Sequence, residues 1–276
     1  MSNYLNAFDL LDWYVTAGVN ESTGDYPIDR FIKRKAPLSE PIANTDFAPT
    51  KPLKDPIAGH TQQMPFQSRE AAVRTAEQAA EAITSLGELR TAFEAFDGCS
   101  LKETALNFVF ADGNPTARVM LIGEAPGAEE DRKGLPFIGP AGRLLDRMLK
   151  AIGLDRTNVY ITNILPWRPP GNRSPTDTEI SACMPFVERH IALVNPEVLL
   201  LVGGTSAKSL LKRPEGIMRL RGKWMKYKTE LGDLNIPTRA LLHPAYLLRQ
   251  PAQKRETWQD LLEVRQWLDA PVQTSG

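Results

Sequence analysis

The chain has 276 residues, 42% hydrophobic and 24% charged, the balance of an ordinary globular protein with material for a sizeable core. Its 33 Lys and Arg offset 33 Asp and Glu, so no global field argues for a nucleic-acid partner, and any basic footprint has to be local. Two cysteines, Cys99 and Cys183, exclude a disulfide framework and suit a reducing compartment. No apolar run approaches the ~20 residues that span a bilayer, and the first residues carry acids where a secretion signal needs cations. The expectation is a cytoplasmic protein with no membrane partner.

In chain order, residues 5–15 place Leu5, Phe8, Leu11 and Val15 at helical spacing. Residues 27–65 are proline-rich and weakly periodic, an extended arm whose prolines remove donors and fix the backbone. Ser68 offers an N-cap and Glu70 a first-turn acid to an Ala-rich helix running to about Phe96, with a weak point near Gly87. From Arg118 onward strands and helices alternate: strand 119–122, a helix opening near Pro140, strand 159–162, helix 176–194, strand 198–202, short helix 205–211, strand 238–242 and closing helix 253–268. This alternation predicts an α/β protein with right-handed crossovers and a parallel sheet covered on both faces. Its strand ends offer four loops to one cleft, GEAPG, NILPWRPPGNRSP, GGTS and HPAYLLR.

The first loop does not match G-x-G-x-x-G and no Walker lysine follows, which argues against a nucleotide cofactor. Glu124 lies inside that turn, placed to act as a base, whereas Glu130 and Asp131 suit either chemistry or capping of the next segment. Asn163 at a strand end supplies the donor and acceptor that fit the edge of a planar heterocycle; an Asn closing a turn is the equal alternative. Arg168 and Arg173, on a proline-stiffened loop, suit phosphates or simple solvation. His243 opens the last loop on the cleft edge, where an imidazole can donate to a developing anion, while His60 and His190 receive no role. Residues 212–228 carry seven cations against Glu215, with Trp224 and Tyr227 interleaved as in nucleic-acid-binding faces; a solvated hairpin is the alternative.

Taken together and in this order, GEAPGAEEDRKGLPFIGPAGRLLD, TNILPWRPPGNRSPT, LLLVGGTSA, RGKW and HPAYLLR resemble the uracil-DNA glycosylase superfamily, nearest its thermophile-type family-four branch, over roughly residues 86–268. The resemblance implies a three-layer α/β/α fold with a central four-stranded parallel sheet. It implies a catalytic domain at 86–270, preceded by an N-terminal extension at 1–85 that the family lacks and followed by a disordered tail at 271–276. The implied reaction is hydrolysis of the N-glycosidic bond of uracil in DNA by a monofunctional monomeric enzyme, releasing free uracil and leaving abasic DNA. The alternative is a lesion-binding or abasic-site-binding protein of the same fold with little turnover.

By the same resemblance Glu124 activates water or stabilises the sugar cation, with Glu130 in reserve. Phe137 stacks on a flipped uracil, Asn163 reads its edge, His243 hydrogen-bonds O2, and the Ala125, Pro126 and Gly127 segment contacts the base, although Pro126 has no N–H to give. Tyr246, Leu247, Leu248 and Arg249 lie against the minor groove, and Lys133, Arg168, Arg173, Arg221 and Lys223 face DNA. One departure stands out. The family-four branch ligates a [4Fe–4S] cluster with four cysteines, and here only Cys99 and Cys183 remain, with Phe96 and Trp167 at the other two positions. Neither ring can ligate iron, so the expectation is no cluster, no metal and no cofactor, with both aromatics packed in its place.

Overall fold

The computed structural model describes residues 69–228 and 234–270. The helix expected at 5–15, the proline-rich arm, the cap at Ser68, His60 and the tail at 271–276 lie outside the described residues.

Three strands buried at every position form the heart of the sheet: β2 (Val119–Gly123), β3 (Val159–Asn163) and β4 (Val198–Val202). Segments such as VMLIG and VLLLV have no polar face, so they demand cover on both sides, the situation of a parallel strand between helix layers. Together with β6 (Asn235–Leu241) they make a parallel centre in the order β3-β2-β4-β6. Two edge strands that the sequence did not predict extend it antiparallel to six strands, β1 (Ala111–Gly113) on β3 and β5 (Trp224–Lys228) on β6.

Successive side chains on the central strands point to opposite faces. Met120, Ile122, Leu199 and Leu201 join a core built with α1 (Arg69–Glu81), α2 (Leu86–Ala95), α5 (Asp177–Val194) and α6 (Gly204–Leu211). Val119, Leu121, Val198 and Leu200 join a second core with α4 (Pro140–Lys150) and α9 (Lys254–Asp269). The result is a three-layer α/β/α arrangement.

The single Ala-rich helix expected up to Phe96 is in fact two. Ser85 accepts the Glu88 backbone N–H at 3.2 Å, while the Glu88 carboxylate accepts the Ser85 N–H at 3.2 Å. This reciprocal capping box starts a new helix, so the break comes from Ser85 and not from Gly87. A boundary at residue 85 leaves α1 in the extension, yet its Ala72, Ala76 and Ala80 are buried with α5 in the same core as the sheet. Small residues every fourth position let the two helices approach closely.

Candidate active site

At the carboxyl ends of the four parallel strands opens a cleft of about 480 Å³. All four strand ends line it: Glu124, Ala125, Pro126 and Gly127 after β2, Asn163 as the last residue of β3 with Arg173 in the loop beyond, Gly203 and Gly204 after β4, and His243, Tyr246 and Arg249 after β6. Glu130 and Phe137 complete the wall. Open α/β sheets take their ligands in the crevice at this end.

Phe137 and Asn163 converge over Gly123. A Cβ added to Gly123 would collide with both the Asn163 Oδ1 and the Phe137 ring, so the last residue of β2 has to be glycine for them to meet. The ring is tilted 30° to the His243 imidazole at a centroid distance of 5.8 Å. Asn163 is 5% exposed, and its Oδ1 has no hydrogen-bond partner among the described residues. Such an atom costs ~1–3 kcal/mol unless something arrives to satisfy it. Phe137 itself adopts φ +53, a left-handed conformation that bulky residues rarely enter and that costs ~1–3 kcal/mol.

The acids separate sharply. Helix α3 (Ala128–Lys133) follows the first loop and buries Glu130 and Asp131. Glu130 Oε1 accepts the N–H of Ile138 at 3.0 Å and of Gly139 at 2.8 Å, so its carboxylate holds the segment after Phe137. Asp131 Oδ1 accepts the N–H of Leu106 at 2.8 Å and of Asn107 at 3.2 Å, tethering a neighbouring loop. Glu124 lines the cleft with no hydrogen bond or ion pair to its carboxylate among the described residues.

His243 is the N-cap of α8 (Pro244–Arg249), and its Nδ1 accepts the Ala245 N–H at 3.1 Å. An Nδ1 that accepts has no proton, so in the neutral ring the proton sits on Nε2. Burial pushes the imidazole down to about 4, with the Arg249 charge adding to the effect and Glu130 opposing it. At neutral pH the ring is therefore an uncharged donor.

The residues expected to face DNA fall into two groups. Lys133, Lys223 and Leu248 are exposed, Tyr246 and Arg249 border the cleft, and Arg168 donates to Asn172 Oδ1 at 2.8 Å. Arg173 borders the cleft too, but both its Nη atoms bind Glu179, at 3.0 and 2.6 Å. Two expectations need correction. Leu247 is fully buried with Leu144 and Leu242, because α8 turns that position towards α4. Arg221 spends its guanidinium on α9, reaching Asp260 at 2.9 Å and Glu256 at 2.8 Å, beside Arg239, which holds the same Asp260 from β6. Asp260 and Arg239 are buried, and removing one member of such a set strands a charge.

Sequence reasoning missed three residues that shape the cleft. Gly123 was visible only as the first residue of the GEAPG turn, whereas it ends β2. Arg156 drew no reading from the sequence, yet it donates to the carbonyls of Pro136 at 3.1 Å and of Phe137. Gly142 sits where a Cβ would overlap the Phe137 carbonyl. No local pattern betrays either of the last two.

On the α1–α2–α5 side of the sheet, Cys99 and Cys183 are both buried and unpaired. A hydrogen bond from Cys183 holds the Cys99 thiol down, whereas burial pushes Cys183 well up. Around them Phe93 stacks on Phe186 at 4.5 Å, Phe96 packs on Phe186 at 5.1 Å, and Trp167 meets Phe93 edge-on at 5.7 Å. A Cβ at Gly98 would strike the Phe96 ring, so the loop closes tightly on that ring. Two thiols and this packed set do not fit a cluster that needs four thiolates. Among the described residues no group of three or more His, Cys, Asp and Glu is placed to hold a metal ion, and no helix is long and apolar enough to cross a membrane.

The profile of the uracil DNA glycosylase superfamily matches residues 110–262. The type-4 uracil-DNA glycosylase of Archaeoglobus fulgidus is 38% identical over 170 residues, 60% of this chain and 84% of the relative. Those of Sulfurisphaera tokodaii and Thermotoga maritima are 36% identical over 179 residues and 39% over 152, covering 63% and 55% of this chain and 80% and 77% of the relatives.

Proposed function

The chain belongs to the uracil-DNA glycosylase superfamily, and from that premise we infer that it is a uracil-DNA glycosylase, hydrolysing the N-glycosidic bond of deoxyuridine in DNA. The observation that carries the reading is the partnerless Asn163 oxygen facing a cleft walled by Phe137 and His243. Uracil supplies what that cleft lacks. Its N3–H satisfies the Asn163 oxygen and its O4 accepts from the amide nitrogen, whereas cytosine presents the reverse pattern at both atoms. Sites built around such a bond reject the wrong partner strongly, because the mismatch leaves buried groups unpaired.

Reaching this cleft requires the nucleotide to leave the stack, at a few kcal/mol that the Phe137 face and the edge-reading amide offset. The C1′–N1 bond then breaks with its electron pair going to uracil, leaving a cationic sugar. His243 Nε2–H donates to O2 of the departing uracil anion, a preorganised donor at the atom where charge develops. Glu124, whose carboxylate has no hydrogen bond or ion pair among the described residues, stabilises the sugar cation and takes the proton of the attacking water. Glu130 serves by holding the 138–139 amides. Loop amides of Ala125 and Gly127 contribute to the base site, and Pro126 contributes only shape.

DNA is held by Tyr246, Leu248 and Arg249 beside the cleft and by the exposed Lys133 and Lys223, with Arg168 and Arg173 close to the backbone path. Abasic DNA and free uracil are the products. The enzyme works as a cytoplasmic monomer without an iron–sulfur cluster, a reading supported by the two buried free thiols and the rings at positions 96 and 167. The test is excision from a labelled duplex with a single uracil, by wild type, Asn163→Asp and His243→Ala. Multiple turnovers by wild type with losses of ~10² or more in both variants are expected. Binding of the duplex without turnover would move the chain to the lesion-binding alternative.

A further inference from the structure

We propose that Arg156 is a positioning residue for the base, acting through Phe137; the proposal rests on the reading of Phe137 as the ring that stacks on uracil. Phe137 occupies a left-handed conformation at φ +53, and relaxing it to negative φ would swing the ring away from Asn163 and His243. Something has to hold it there. Glu130 secures the N–H side of the peptide after Phe137, through Ile138, and the Gly139 amide beyond it, while Arg156 secures the carbonyls on both sides of Phe137, those of Pro136 and of Phe137 itself.

The Arg156 guanidinium is organised as a clamp. Its Nη1 donates to the Pro136 carbonyl at 3.1 Å and its Nη2 to the Phe137 carbonyl. Two further donors are fixed in turn, Nη1 to Asp112 Oδ2 of β1 at 2.5 Å and Nε to Asp146 Oδ1 of α4 at 2.9 Å. Arg156 thus ties a β-strand, a helix and the Phe137 turn into one unit, while its side chain stays outside the cleft lining. Gly142 completes the seat, because α4 can approach the Phe137 carbonyl only where no Cβ intervenes. A planar fork reaching two adjacent carbonyls and two carboxylates has no lysine equivalent, since an ammonium is a point charge. A ring misplaced by about 1 Å is enough to cost ~10²-fold in rate.

The test measures inhibition by free uracil, affinity for a duplex with a tetrahydrofuran abasic analogue, and excision of uracil, in wild type, Phe137→Ala, Arg156→Gln, Arg156→Lys and the double variant Phe137→Ala with Arg156→Gln. Arg156→Lys keeps the charge between Asp112 and Asp146 and guards against a variant that fails to fold. Both Arg156 variants should raise the inhibition constant for uracil ~10-fold and lower kcat/KM ~10- to 100-fold, with abasic-duplex affinity unchanged. In the Phe137→Ala background the Arg156→Gln change should cost less than ~3-fold, because the element it acts through is gone. Wild-type uracil inhibition in Arg156→Lys, or losses that multiply in the double variant, would overturn the positioning role. Wild-type uracil inhibition in Phe137→Ala would instead show that Phe137 is not the stacking ring, and the role of Arg156 would fall with it.

Discussion

At the strand ends Phe137 holds a left-handed backbone, Asn163 keeps an acceptor without a partner, and His243 is an imidazole held neutral by its surroundings. On the α1–α2–α5 side, Phe93, Phe96, Phe108, Trp167 and Phe186 pack through stacked, tilted and edge-on contacts at 4.5–5.7 Å. Both regions are buried and both use aromatic rings, but only the first stores strain and unmet polarity. That contrast separates a surface kept ready for a ligand from one that serves cohesion. It also says where substitutions should harm activity and where stability.

Asn163→Asp should give the largest effect and break the comparison from the cleft side. Excision should fall ~10³-fold or more, since a carboxylate has no amide donor for O4, while the melting temperature moves by no more than a few degrees. A parallel collapse of stability would mean that Asn163 belongs with the core. From the other side, Phe96→Ala or Trp167→Ala should cost ~3–5 kcal/mol in denaturant unfolding, with the folded fraction still excising uracil at near wild-type rate. An unchanged midpoint would show that these rings fill nothing.

The buried histidines sharpen the contrast through pH. Burial pushes His190 down to about 3 and His243 to about 4, whereas in the unfolded chain each titrates near ~6.5. Between those values the unfolded chain binds protons that the folded chain refuses. Stability should therefore be flat above pH ~6.5 and fall by ~1.4 kcal/mol per pH unit for each histidine as pH drops towards 4. His190→Gln should halve that slope and leave excision intact, since His190 meets the Tyr160 hydroxyl, at 2.8 Å, and stacks on the Phe110 ring, outside the cleft lining. The smallest expected effect is a null. Purified protein should show no absorbance near ~400 nm, and incubation with iron and sulfide should not raise its melting temperature; a brown, stabilised sample would overturn the cluster-free reading.

The parallel centre was legible in the sequence because VMLIG and VLLLV are apolar runs without a solvent face and VYITN is rich in β-branched residues, each followed by a loop of polar and glycine residues. The edges were not. ADG is too short to show a period, and WMKYK buries only Tyr227 fully, so it reads as a basic cluster. Within the site, the places of Asn163 and His243 at strand ends put both on the cleft edge in the sequence, and both line the cleft. The different surroundings of Glu124 and Glu130 were not legible, because they depend on the 138–139 amides folding back onto one carboxylate. Arg221 misled for the same reason, its partners being supplied by a helix about thirty-five residues further on. Long-range pairing leaves no local trace.

The two end strands carry a consequence of their own. A sheet whose inner strands are wholly apolar presents, at each open edge, backbone groups ready to recruit another chain. Here β1 offers only three residues on one side. On the other side, β5 exposes Lys226 and Lys228 along its length, and Lys223 stands just before it. An incoming strand would have to set its own side chains against that row of ammonium groups. Three of the cations that looked like a nucleic-acid footprint thus stand where charged side chains discourage edge-to-edge pairing of sheets.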